Sequence, residues 1–418
     1  MGETRHILVI GGGAVGLCTA HYLRGTGCDV TIVERGEIGE GASLHNAGLI
    51  VPSHFTPLAA PGMVMLGLRW MLRPESPFYI KPRLDSDLLT WLWQFALAST
   101  ARRTERAVFL LRDMSVASLA LYEDLASVRG MEFEFRKNGL LMLFRTAHGR
   151  EGSLKSADQA SKIGIEARVL DRGQIHDLEP GVSFNATGGV YYPGDAHLTP
   201  ALFVDRLREH LIAQGVRFVG STRVTGFVTR PSGITAVTTT GGTYAADEFV
   251  LAGGSWSPLI IRSLRLGIPM QPGKGYSVTV RNPPVRPRIP MLLEEARVAV
   301  TPMGDRLRFS GTMELAGLDT SINIRRVRAL LKSVPSYLGG VEPAQLEHGE
   351  IWAGLRPCTP DGLPYIGRFR KYDNLIAATG HAMVGISLAP ITGKLVAEIV
   401  HGLIPSIDLH LLRPDRYG

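Results

Sequence analysis

Cysteine is scarce. The chain holds three, Cys18, Cys28 and Cys358, and none forms a CxxC pair. That excludes a disulfide scaffold and a zinc ribbon. No His/Cys cluster has metal-ligand spacing, so no metal is expected. Idle thiols suit a reducing compartment. Runs of Lys and Arg with interleaved aromatics are missing as well, although the formal net charge is +7. Nucleic acid is therefore not an expected partner, whereas an anionic ligand or an acidic surface is favoured. The amino end passes almost directly into "HILVIGGG", which leaves no room for a signal peptide and points to the cytoplasm. Charge is absent from Gly41 to Leu68, a length that could span a bilayer. Pro52, Pro57 and Pro61 interrupt it, however, and it reads as loop. No internal repeat or low-complexity linker is visible.

The 418 residues, 45% hydrophobic and 20% charged, suit two globular domains of ordinary size. The amino end carries the clearest motif. An apolar strand, Ile7 to Ile10, enters Gly11-Gly12-Gly13-Ala14-Val15-Gly16. A helix follows from about Ala14 to Leu23, then a strand from Asp29 to Val33 ending at Glu34 and Arg35. This is the G-x-G-x-x-G unit of a dinucleotide fold. Gly11 makes the tight turn, Gly13 admits a pyrophosphate to the helix N-terminus, and Gly16 lets helix and strand pack. Glu34 stands where an acid holds ribose hydroxyls. The motif alone does not separate NAD from FAD.

A second loop of small residues, "GEGASLHNAGLI", follows from Gly39 to Ile50. Its Ala42, Ser43, His45, Asn46, Ala47, Gly48 and Leu49 can run along an extended FAD toward the flavin. A middle segment holds a helix, Pro200 to Ala213, and strands at Val216 to Val219 and Thr222 to Val228. Within it Val224 is expected near the adenine edge. Another strand ends at Gly253-Gly254. Near the carboxyl end, a short strand from Leu375 to Ala378 runs into Gly380, His381, Met383, Val384, Gly385 and Ile386. A helix opens at about Ser387, and its positive end can face a reduced flavin ring. His381 reads either as a flavin contact or as a turn histidine bonded to backbone.

"WAGLRPCTPDGLPYIG", Trp352 to Gly367, is dense in proline and glycine and reads as a rigid loop. It carries Arg356, whose alternatives are a ligand anchor or a structural partner of Asp361 or Glu350. In the remaining sequence, "DSDLLTWLWQFALAST" reads as a helix from Asp85 or Ser86, with Leu88, Trp91, Leu92 and Phe95 on one apolar face. A further helix starts near Glu105. "FEFRKNGLLMLFR" and "RLRFSGTMEL" read as strands. From Arg69 to Arg106 there are seven Arg/Lys against four Asp/Glu, interleaved with Trp70, Phe78, Tyr79, Trp91 and Trp93. That stretch reads as a core helix with a solvated basic face, or as a peripheral membrane contact.

The motifs "IGGGAVG", "ERG", "GASLHNAGLI", "RVTGF", "VLAGGSWS", "GLRPCTPDGLPYIG" and "TGHAMVGISLAP" together resemble the D-amino-acid-oxidase-type flavoprotein family. That family also contains glycine oxidase and sarcosine oxidase. Within it the chain is most similar to bacterial D-amino-acid dehydrogenases, through "NAG", "AAPGM", "SPFYIKP", "KGYSVT" and "RPCTPDG". The resemblance implies an α/β fold. A discontinuous Rossmann-type FAD domain would take residues 1–60, 190–265 and 345–418. An α+β substrate domain with a mainly antiparallel sheet would take 61–189 and 266–344. It implies Arg356 beside the flavin, binding a substrate carboxylate, and it leaves Tyr276 as a carboxylate contact or a packed strand residue. Glycine oxidase carries an arginine where Met383 stands and a tyrosine near where Val298 stands, which points here to a more apolar pocket. Monomeric sarcosine oxidase links FAD through a cysteine where Gly354 stands. Dimethylglycine dehydrogenase links it through a histidine where His45 falls. FAD is thus expected to be non-covalent, with His45 as the other possibility. The leading expectation is an FAD dehydrogenase for a D-amino or cyclic imino acid, such as D-proline or D-hydroxyproline, passing electrons to quinone or another non-oxygen acceptor. The alternatives are a glycine- or sarcosine-type oxidase using dioxygen and a non-catalytic FAD-binding subunit. Oligomeric state stays open.

Overall fold

The computed structural model describes residues 4–71 and 76–417. A six-stranded sheet runs in the order Tyr365–Phe369, Tyr372–Thr379, Glu248–Leu251, His6–Ile10, Asp29–Val33, Arg217–Val219. All neighbours are parallel except the first pair. Both faces are covered, so the central strands are apolar throughout: Ile7, Leu8 and Val9 are fully buried. This is a Rossmann-type arrangement assembled from distant parts of the chain.

Two helices start at the carboxyl ends of these strands, Ala14–Gly25 and Ala389–Val400. They pack so closely that a Cβ at Gly393 would lie 2.5 Å from the Cys18 carbonyl. The second begins two residues later than the sequence predicts. A 3-10 turn, Ala382–Val384, precedes it, and Pro390 occupies its first turn, where a missing N–H costs nothing.

The second large sheet has the order Glu350–Cys358, Gln271–Arg281, Arg306–Leu315, Val298–Met303, Met291–Leu293, Leu140–Phe144, Gly188–Tyr192, Arg168–Asp171. Phe78–Ile80 pairs off the Arg306–Leu315 strand. Most of its pairs are antiparallel. "FEFRKNGLLMLFR" is strand only over Leu140–Phe144, because Glu134 takes a left-handed φ of 56°. The helix expected near Glu105 begins at Ala101, after an N-cap at Thr100.

The reading of Trp352 to Gly367 as a loop is corrected. Glu350–Cys358 is a nine-residue strand, hydrogen-bonded along its length to Gln271–Arg281. Pro357 is tolerated because the strand lies at the sheet edge. The Pro/Gly density makes a true turn only afterwards, at Thr359 to Pro364, before Tyr365–Phe369 returns.

Candidate active site

A cavity of about 1590 Å3 lies between the two sheets. Ordinary small-ligand pockets are about 300–1,000 Å3, so the space suits an extended ligand plus a substrate. At one end the glycine motif is built as its sequence dictates. Gly11 has φ 117°, and a Cβ there would sit 2.4 Å from the Ala252 carbonyl oxygen. A Cβ on Gly16 would lie 2.0 Å from the Gly11 carbonyl oxygen; Gly16 therefore packs helix against strand and does not line the cavity. Gly13, Ala14 and Val15 do line it.

Glu34 accepts from the Gly12 N–H at 2.8 Å and from the Gly36 N–H at 3.2 Å. Those bonds orient its carboxylate at the cavity wall beside Arg35. The Arg35 guanidinium lies 3.3 Å over the Trp256 ring, and Val224 is on the same wall. Trp256 was visible in "GGSWS", but nothing local shows that it faces the cavity.

The Gly39–Ile50 loop closes on the helix start. Ser43 Oγ accepts from the Ala14 N–H at 2.9 Å. Asn46 Nδ2 donates to the Ser43 carbonyl at 2.7 Å, and the Gly48 N–H donates to Asn46 Oδ1 at 2.6 Å. Gly48 needs its φ of 69°, and a Cβ would meet the Leu198 carbonyl oxygen at 2.3 Å. Ala42, Ser43, His45, Asn46, Ala47, Gly48 and Leu49 all line the cavity. His45 stacks on Trp352 with ring centroids 5.1 Å apart. Burial lowers its pKa, with Arg308 adding to the effect.

Arg308 was missed from sequence. It is buried, donates to Thr279 Oγ1 at 2.9 Å and to the Leu44 and Asn46 carbonyls at 3.2 and 2.8 Å. Burial pulls its pKa down to about 10, against the opposing pull of Glu350. A buried cation needs such partners, and it pins the loop to the large sheet.

From the other flank, Gly253, Gly254, Gly380, His381, Met383, Val384, Gly385, Ile386 and Ser387 line the same cavity. The His381 side chain turns inward to Thr392 Oγ1 at 2.9 Å. That hydroxyl donates to the Leu388 carbonyl, so the imidazole donates to it. Burial lowers the His381 pKa to about 3 and keeps it neutral.

The large sheet roofs the cavity in cross-strand rows. Trp352, Ser277, Ser310, Ala299 and Leu292 form one row by register, and all line the cavity. Beside it, Gly354 pairs with Gly275. Arg356 projects across this bare spot: a Cβ on Gly275 would lie 2.0 Å from its Nη1. Arg356 Nη1 donates to the Thr312 carbonyl at 2.8 Å. Thr312 sits at a bulge with φ 64°, and a bulge re-aims backbone in this way. Arg356 has no carboxylate partner among the described residues. Asp361 is instead gripped by Arg416, at 2.7 and 2.9 Å. Burial lowers the Arg356 pKa, with Cys358 opposing.

Tyr276 is not brought together with Arg356. Strand alternation turns it to the other face, into the core with Val278, Val298 and Phe309. Its hydroxyl accepts from the Asn323 N–H at 3.3 Å. Tyr276 nonetheless borders the cavity between Gly275 and Ser277.

FAD fits this site on the structure's own terms. Ser277 Oγ, Ser310 Oγ and Thr312 Oγ1 are buried with no hydrogen-bond partner among the described residues, and all three residues line the cavity. Buried polar atoms left open in a row invite a polar ligand edge. Among the described residues no group of His, Cys, Asp and Glu could hold a metal.

The comparisons agree. The model of the family described as FAD dependent oxidoreductase matches residues 6–399. A D-amino acid dehydrogenase of Granulibacter bethesdensis is 34% identical over 99% of each chain. D-amino acid dehydrogenase 1 of Mesorhizobium japonicum is 32% identical over 98% of this chain and 99% of its own. Among solved structures, glycine oxidase from Geobacillus kaustophilus superposes with a TM-score of 0.79 at 24% identity, covering 99% of this chain and 100% of its own. L-proline dehydrogenase from P. horikoshii gives 0.73 at 20% identity, covering 100% and 98%. With a glycine cradle, a loop tied to it and a polar roof all on one cavity, and a family model spanning nearly the whole sequence, the chain belongs to the FAD-dependent oxidoreductases of the D-amino-acid-oxidase type.

Proposed function

We propose that the protein is an FAD-dependent amino-acid dehydrogenase. Its substrate is a D-amino acid or a cyclic imino acid such as D-proline or D-hydroxyproline, and its electrons go to quinone or another non-oxygen acceptor. The observation that carries the reading is Arg356: a cavity-lining guanidinium with no carboxylate partner among the described residues, held by the Thr312 carbonyl. Such a group binds a substrate carboxylate through paired, charge-assisted hydrogen bonds. The names of the curated relatives support the choice of D-amino acids.

Bound FAD supplies the acceptor for the hydride leaving Cα. The chain's own part is to place that Cα–H and to keep water from it. The substrate amine reacts in its free-base form, so no side-chain base is required, and the imine hydrolyses to a 2-oxo acid. Met383 stands at the wall where glycine oxidase has an arginine, which favours a bulkier, less polar substrate. FAD is held non-covalently in this reading. The stacked His45–Trp352 pair and the buried Cys358 support that. The division into a cofactor domain, 1–60, 190–265 and 345–418, and a substrate domain, 61–189 and 266–344, is kept as part of the proposal. Within it the Arg356 strand crosses to the substrate sheet, as do residues 190–192 of the strand Gly188–Tyr192. Three free, buried cysteines support the cytoplasm as the site of action.

The test is anaerobic mixing with D- and L-alanine, D- and L-proline, hydroxyproline isomers, glycine and sarcosine while the visible flavin band is followed. Bleaching by D-isomers, lost in Arg356→Met with FAD still bound, is the expected result. Bleaching by glycine or sarcosine alone, with peroxide formed in air, would overturn it in favour of an oxidase.

A further inference from the structure

Residues 51–58 bridge the two flanks of the cavity. At one end the Val51 N–H donates to Ser387 Oγ at 3.2 Å, just before the helix Ala389–Val400. At the other end Leu58 packs on Trp91, Met313, Leu315 and Cys358. Met313 follows Thr312, whose carbonyl holds Arg356, and Cys358 ends the Arg356 strand. The segment therefore runs from the cofactor flank to the surroundings of the guanidinium.

His54 stands midway and lines the cavity, as Val51 and Leu58 do. Its place is fixed from behind. The Ser53 N–H and hydroxyl both donate to the carboxylate of Asp195, which is 1% exposed. The His54 N–H closes a turn on the Val51 carbonyl at 2.9 Å. Two bonds to a buried carboxylate hold Ser53, and the residue after it is presented to the cavity.

Arg297 lies on the far side of the Thr312 bulge from Arg356. It precedes Val298, which pairs with Gly311, and a Cβ on Gly311 would lie 3.1 Å from its carbonyl oxygen. Burial and the Arg297 charge both lower the His54 pKa. A neutral imidazole donates from one nitrogen and accepts at the other. The His381 ring satisfies itself on Thr392, whereas among the described residues no hydrogen bond reaches the His54 ring. A partly buried polar group left so takes its partner from what fills the cavity.

The chemistry of that partner is narrow. Arg297 is matched by Glu294 at 3.0 Å, so the spot holds no unbalanced charge for an ionised side chain. The wall around it, with Val51, Leu58, Leu292 and Ala299, is apolar. A hydroxyl both donates and accepts, as the neutral ring does. An apolar wall alone discriminates poorly over one hydroxyl, and a hydrogen-bonding group set in it discriminates well.

We propose that His54 is the specificity-determining residue for the substrate side chain, selecting a hydroxyl-bearing D-amino or cyclic imino acid over its deoxy counterpart by hydrogen bonding that hydroxyl. Asp195 is a positioning residue that acts through Ser53. The proposal rests on the dehydrogenase reading above, with Arg356 taking the carboxylate, and adds which group meets the other end of the substrate.

The test uses the FAD-loaded enzyme with a dye acceptor and substrate pairs that differ by one hydroxyl: D-hydroxyproline isomers against D-proline, and D-serine against D-alanine. The parent should favour the hydroxylated member of at least one pair. His54→Leu should lower that ratio of kcat/KM by about tenfold, mostly through KM. His54→Gln, which keeps a donor and an acceptor, should recover most of it. Ser53→Ala, which removes one of the two bonds to Asp195, should lower the ratio by a smaller factor with FAD content unchanged. A ratio unchanged in FAD-loaded His54→Leu would overturn the proposal. So would equal losses on both members of every pair, which mark packing instead of recognition. Failure of every compound to bleach the flavin is a different result: it sinks the dehydrogenase reading, and this proposal with it.

Discussion

The guanidinium of Arg356 occupies the space where Gly275 has no side chain, on the neighbouring strand of the same sheet. The arginine therefore depends on the absence of a side chain at its neighbour. Gly275→Ala should push the guanidinium off its seat beneath the Thr312 carbonyl. The expected outcome is a fall in kcat/KM of about tenfold or more, mostly through KM. FAD content and its absorbance should be unchanged. Steady-state kinetics across amino acids would check it.

Arg308 ties the Leu44 and Asn46 carbonyls to the large sheet. Arg308→Met removes those donors and strands two carbonyls beside the cofactor. The loop should loosen, FAD should bind about tenfold to a hundredfold more weakly, and the thermal midpoint should fall. Flavin fluorescence on titration with FAD reads the first effect, and calorimetry the second.

Asp195 supplies a pH signature. Burial pushes its carboxyl up from 3.8 to about 7, although the Ser53 hydroxyl and N–H donate to it. The folded value lies above the unfolded one. Its stabilising contribution is therefore full below about pH 4 and is lost as pH rises through about 7. Asp195→Asn should gain thermal stability relative to the parent, and the gain should widen between about pH 5 and about pH 8. A difference constant with pH would refute the assignment.

The cysteines should be inert. Burial pushes the Cys358 thiol up to about 12, only partly offset by Arg356, and Cys18 and Cys28 are raised for the same reason. Thiolate is scarce at neutral pH under those conditions. Native protein treated with iodoacetamide should show no adduct by mass spectrometry, and denatured protein should show all three. FAD should leave with denaturant, without a thioether.

The nucleotide cradle was legible because its requirements are local. Gly11 and Gly16 answer to carbonyls within the same strand–turn–helix unit or its neighbour, and only glycine meets them. The Ser86–Ala98 helix was legible from its period, and its inward face, Leu88, Trp91, Leu92 and Phe95, was read correctly. Arg356 was singled out, but its strand was hidden by prolines whose effect depends on lying at a sheet edge. Tyr276 was ambiguous for a related reason: the pleat fixes which residues share a face, while the register with partner strands decides which face meets the cavity. The bulge at Thr312, the vacancy at Gly275 and the partners of Arg308 all join segments far apart in sequence. No periodicity announces them.

The central strand of the six-stranded sheet, His6–Ile10, lies between Asp29–Val33 and Glu248–Leu251, and the next strand outward, Tyr372–Thr379, follows every strand of the second large sheet in the chain. During synthesis the nascent chain must keep an incomplete parallel sheet, with an open apolar edge, until the ribosome has made all of that second sheet. Cofactor capture is then a late event. Shortening the chain behind the Arg356 strand would leave a sticky folding intermediate instead of a smaller nucleotide-binding protein.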